Sequence, residues 1–62
     1  MDRYASGLLD VNEACDYLRI SRTSLYRLRD SKEIPAVKLG HRVFFNRRDL
    51  DTYIRNQTAF AA

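Results

Sequence analysis

Residues Val11 to Arg29 read VNEACDYLRISRTSLYRLR: two short stretches, each with apolar residues at helical intervals, and only three residues between them. A connection that short makes the two helices immediate neighbours, so the rest of the chain has to fold around this pair. In the first stretch Val11, Ala14, Cys15 and Leu18 recur at i, i+3, i+4 and i+7 and define one buried stripe. Asp10 stands where a side chain can accept from the free N–H groups of a first turn, Glu13 three residues on completes a capping box, and Leu9 can staple onto Ala14. The spacing predicts a helix over 11–18. Arg19, Ile20 and Ser21 make the turn, with Ile20 as its apolar plug and Ser21 as the cap of a second helix over 22–31. On a helix turning about 100° per residue, Leu25 and Leu28 point inward, Thr23, Tyr26, Arg27 and Asp30 point outward, and Arg22 and Arg29 lie on the flanks.

A different period follows. Pro35 ends any helical continuation and pushes Ile34 toward extended backbone, after which IPAVKLGHRVFF alternates like a hairpin over 36–45. A loop of Gly40 and His41 alone would divide the apolar residues between both faces of the ribbon. A loop of Gly40, His41 and Arg42 pairs Leu39 with Val43 and Val37 with Phe45, gathers those four on the face toward the helices, and is the register expected. It turns Lys38 and Phe44 outward and sets His41 and Arg42 at the tip. Asn46 caps a third helix over 47–56, with Asp49 in its first turn and Leu50, Tyr53 and Ile54 as its inward stripe. Two helices joined by a tight turn, then a hairpin and a third helix, make a small α+β fold: a winged helix-turn-helix over 8–56, with a flexible leader (1–7) and a flexible tail (57–62). In that motif the second helix enters the major groove of DNA.

Size limits the alternatives. With 62 residues the chain is one domain, and near 60 residues only roughly 60% of the unfolded surface is buried, which leaves no volume for a pocket that encloses a substrate. The single cysteine, Cys15, forms no internal disulfide, no apolar run approaches the roughly 18 residues that span a bilayer, and the start MDRYASG is unlike a signal peptide, so a cytoplasmic location is expected. Cys15 reads as a small core residue and His41 as a polar loop residue. Neither has the neighbours that a nucleophile or a metal site needs, so no enzyme, metal or cofactor is expected.

Charge points to the partner. Between Arg19 and Arg48 nine basic residues (Arg19, Arg22, Arg27, Arg29, Lys32, Lys38, Arg42, Arg47, Arg48) face two acidic ones, a formal +7, while the rest of the chain carries −4. A charge run is ordinarily a solvated face. Its coincidence with the turn, the second helix and the hairpin favours a polyanion, double-stranded DNA. Ser21, Arg22, Thr23, Tyr26 and Arg27 are the candidates in the turn and recognition helix, and Lys38, His41 and Arg42 those in the wing. Arg19, Arg29 and Lys32 are candidate phosphate contacts.

The stretch LLDVNEACDYLRISRTSLYRLRDSKEIPAVKLGHRVFFNRRDLDTYI, Leu8 to Ile54, covers 47 of the 62 residues and closely resembles the excisionase-type DNA-binding domains of phages and mobile elements, which are related to MerR-like domains. The matching pieces are Tyr17 and Leu18, Ser21 and Arg22, Tyr26 and Arg27, Pro35 to Lys38, Gly40, and Arg48 to Asp51. Three positions depart from the pattern: Arg19 and Lys32 stand where the family commonly has glycine, at helix ends that accept left-handed backbone, and Phe44 stands where a basic or polar residue is frequent. The resemblance implies a recombination directionality factor that binds and bends attachment-site DNA, assembles as neighbouring copies, and steers a cognate integrase toward excision. A small transcription regulator, repressor or activator, is the alternative. Phe44 and Phe60 are the candidate protein-protein contacts.

Overall fold

The computed structural model describes residues 7–58. The order of elements is β1 (Leu8–Asp10), α1 (Val11–Leu18), α2 (Arg22–Asp30), β2 (Val37–Leu39), β3 (Arg42–Asn46) and α3 (Arg47–Thr58). Three helices and a three-stranded antiparallel sheet in the order β1-β3-β2 form a winged helix-turn-helix.

The local signals act as their chemistry requires. The Asp10 carboxylate accepts from the Glu13 N–H at 2.8 Å and the Glu13 carboxylate accepts from the Asp10 N–H at 2.9 Å, a closed capping box. The Ser21 hydroxyl accepts from the Ser24 N–H at 3.2 Å and starts α2. Both helices of the pair end on a left-handed residue that is not glycine: Arg19 at φ 58° and Lys32 at φ 63°. After each, the next N–H reaches back into the helix, Ile20 to the Cys15 carbonyl at 3.1 Å and Glu33 to the Leu28 carbonyl at 3.0 Å, so carbonyls left open by the ending helix are satisfied.

Leu9, Ala14, Leu25, Ile34, Phe45 and Leu50 are fully buried in one cluster that takes a residue from every element except β2, with Ile34 coming from the α2–β2 connection. Val11, Cys15, Tyr17, Leu18, Ile20, Leu28, Val43 and Tyr53 pack around them. Ile34, read from sequence only as a residue constrained by Pro35, is thus a core residue.

Several expectations need correction. Leu8–Asp10 is a strand, with Leu9 opposite Phe45, because β3 has a second edge that the hairpin leaves unpaired. The wing has the rejected register: Leu39 pairs with Arg42, Lys38 with Val43 and Val37 with Phe44. Gly40 decides it. At φ 63° in the first position of a two-residue loop it supplies the positive φ of a type II′ turn, whereas a three-residue loop usually needs its left-handed residue last, and Arg42 is not left-handed. Cross-strand partners share a face, so Lys38 lies on the same face as Val43 and the buried Phe45, while Val37, Leu39, Arg42 and Phe44 lie on the other. Leu39, expected inward, is 51% exposed, and Phe44, expected exposed, is half-buried. Lastly, Ile54 is 41% exposed, since the core closes on Leu50 and Tyr53.

Gly7, assigned to the leader, is tied to the fold, its carbonyl accepting from the Arg47 N–H at 2.8 Å where β3 runs straight into α3. Asn46 is the last residue of β3 and directly precedes Arg47, the first residue of α3, in the position expected of its cap. The remainder of the leader (1–6) and residues 59–62 of the tail, Phe60 included, lie outside the described residues, while Gln57 and Thr58 belong to α3.

Candidate nucleic-acid interface

The exposed face of α2 is built by its burial pattern. Leu25 enters the core and Leu28 packs beside it, which leaves Thr23, Arg27 and Asp30 exposed on the outward face and Tyr26 half-buried there. Among the described residues no ion pair engages Arg27. It lines a groove of about 590 Å³ whose other walls include Ile20, Leu28, Tyr53 and Ile54.

On the flank of α2 the side chains are organised by one another. The Arg29 guanidinium stacks over the Tyr26 ring at 4.8 Å from its centroid and lies 3.2 Å from the Asp30 carboxylate. A stacked cation at an exposed site contributes about 0.5–1 kcal/mol and a surface ion pair a similar amount at most, enough to bias orientation without preventing release to a phosphate. Nearer the start of the helix, Arg22 donates to the Asn12 side chain, joining α2 to the first turn of α1.

The wing reaches the same turn. Arg42 lines a shallow groove of about 170 Å³ with Asp10, Val11, Asn12 and Val43. Its guanidinium lies over the Phe44 ring at 5.2 Å and 3.9 Å from the Asp10 carboxylate, with 70% of the side chain exposed. Arg22 and Arg42 are therefore both anchored at the N-terminal turn of α1. Lys38 and His41 are exposed near the tip of the hairpin, and Ser21, Arg19 and Lys32 are exposed at the ends of the helices.

The basic block does not form one patch. Arg47 and Arg48 begin α3 beyond the far end of β3, whose last residue lies roughly 13 Å from Arg42 at about 3.3 Å per strand residue. There they line an open groove of about 690 Å³ with Asp49, Asp51 and Arg55, so its charge is mixed. Asn12 was missed in the sequence because a polar residue in a first turn has no distinctive pattern. The Tyr26–Arg29 stack could have been found from its i, i+3 spacing.

Cys15 is half-buried, and burial pushes its thiol up from the usual range, against the opposing field of Arg22, so the thiol stays protonated at neutral pH. Tyr17 on the same helix donates to the Asp51 carboxylate of α3. Among the described residues no group of three His, Cys, Asp or Glu side chains could hold a metal ion, and no helix is long and apolar enough to cross a membrane.

Comparison with curated proteins and with solved structures found no match. The family model that matches is described as a helix-turn-helix domain and covers residues 8–58, from the first residue of β1 to the last of α3. With its capped helix pair, its wing and its arginine-bearing second helix on the same span, the chain belongs to the helix-turn-helix domain family, a family of DNA-binding domains.

Proposed function

We propose that this DNA-binding domain is an excisionase: it binds and bends attachment-site DNA, assembles there beside further copies of itself, and directs a phage or mobile-element integrase toward excision in the host cytoplasm. The observation that supports a single DNA-binding face is that Arg22 hydrogen-bonds Asn12 while Arg42 pairs with Asp10, so that a side chain from the recognition helix and one from the wing both reach the start of α1. The recombination role is supported by the resemblance, residue by residue, from Leu8 to Ile54.

Thr23 and Arg27 meet base edges in the major groove, while Ser21, Arg22 and Tyr26 hold phosphates beside it. Lys38, His41 and Arg42 reach the adjacent minor groove or its phosphates, and Arg19, Arg29 and Lys32 extend the backbone contact. The domain performs no bond chemistry. It supplies geometry, and the integrase supplies the nucleophile.

Footprinting on the attachment region of its own element and on the promoter beside its gene tests this reading, together with an excision assay in cells lacking the protein. Occupancy of the attachment arm and loss of excision are expected. Occupancy of the promoter alone, with excision unaffected, would overturn the recombination role and make the domain a transcription regulator.

A further inference from the structure

Leu39 is the most exposed large apolar side chain among the described residues, at 51%, and it sits at the end of the wing directly before the Gly40–His41 turn. The register places it opposite Arg42 on the ladder, so both side chains leave the same face of the ribbon, with Cβ atoms about 5 Å apart as cross-strand partners are. Lys38, Leu39, His41 and Arg42 are all exposed: Arg42 shares the leucine's face, while Lys38 stands on the opposite face of the ribbon and His41 in the turn.

In this fold the leucine has little to pack on. Strand β2 is held chiefly by β3, and the Gly40–His41 loop is the shortest a hairpin can have, so the tip is narrow and stands clear of the core. Charge complementarity identifies what covers it. A cationic tip is drawn to the minor groove, above all where A·T pairs narrow it and deepen its negative potential, and the face that delivers Arg42 to the groove floor delivers Leu39 with it. Apolar side chains in that position wedge between base pairs and kink the duplex away from the wedge.

We infer that Leu39 is the wedge by which this domain deforms DNA: Arg42 draws the wing into an A·T-rich minor groove and Leu39 opens a base step there. The inference rests on the DNA-binding face proposed above. It adds the site of deformation, a residue that the resemblance does not single out, and a preference for flexible T·A steps at the wing end of the binding site, since pyrimidine–purine steps unstack most easily.

The test uses the full chain and a duplex of about 30 base pairs with a central run of alternating T and A, dyes at both ends to read bending by energy transfer, and 2-aminopurine replacing one adenine to read unstacking. Wild-type protein is expected to shorten the end-to-end distance and raise the 2-aminopurine fluorescence. Leu39→Ala removes an exposed side chain and leaves the fold intact. It is expected to bind about ten-fold more weakly and to lose both signals, with an unchanged salt dependence, and Leu39→Met is expected to restore them. If Leu39→Ala binds and bends like the wild type, Leu39 is no wedge although the DNA-binding face stands. If instead it lowers only the cooperativity between copies, with the bend from one bound copy unchanged, the leucine is a protein contact and the inference fails. If wild-type protein leaves the duplex unbound even at low salt, the underlying face fails with it.

Discussion

Two residues concentrate the tension between folding and binding. Arg19 and Lys32 occupy left-handed backbone at φ 58° and 63°, where a Cβ is strained and glycine is not. Each places a positive charge just beyond a helix of the DNA-binding pair. Arg19→Gly and Lys32→Gly are expected to raise stability by about 0.5–1 kcal/mol each in urea denaturation, part of the relief being offset by the freer unfolded chain, while each lowers the slope of log K against log salt by about 1. A loss of stability would show that the helix ends carry no strain. Arg27 makes the complementary case. Exposed and without an ion pair among the described residues, it is expected to contribute about 1–3 kcal/mol on a specific site and much less on random DNA, measured by titrating Arg27→Ala on both. Equal losses on the two would make it a phosphate contact.

The wing is the element whose shape depends most on one residue. Gly40 holds φ 63° with open space where a Cβ would stand, so Gly40→Ala meets backbone strain and no clash. Faster amide exchange in β2 and β3 is expected, with α1 and α2 unchanged, and Gly40→Asn is expected to lose less protection, because asparagine is better accepted than alanine at the positive-φ positions of primed turns. Equal exchange in all three proteins would contradict the turn assignment. The hairpin also marks where the sequence stopped being legible. The helices could be read because capping and the 3.6-residue period are local: Asp10, Glu13 and Ser21 each act within their own turn. Register and strand partners are not local. Arranging Val37, Leu39, Val43 and Phe45 on one face assumed that every apolar residue of the ribbon is buried. Half of that set lies beyond the reach of the helices, and the core face of β3 is completed by Leu9 from a strand that three residues do not announce. For the candidate site, the exposed face of α2 could be read from helical rotation, whereas the approach of Arg22 to Asn12 and of Arg42 to Asp10 depends on how α1 packs against its neighbours.

At the scale of the whole molecule, little core stands behind these features. Among the described residues six fully buried side chains hold the sheet to the helices, and domains of this size rarely exceed about 3–5 kcal/mol of stability. Phe45→Ala, which opens the centre of that cluster, costs about 3–5 kcal/mol for a ring of this kind, so the variant is expected to be unfolded by circular dichroism at 25 °C or close to it. A cooperative melt near that of the wild type would mean that the core is centred elsewhere. With so small a core, the candidate DNA contacts lie on the surface, on a helix face, a turn and a hairpin tip, where electrostatic attraction is expected to supply much of the affinity. If recognition helix and wing bind DNA as one cationic surface joined at the first turn of α1, the salt dependence of duplex binding is sensitive to both Arg22→Ala and Arg42→Ala. The slope of log K against log salt is expected to be roughly −4 to −6 for the wild type and smaller in magnitude by about 1 in each variant; a slope near zero, or one that neither substitution changes, would rule out that surface.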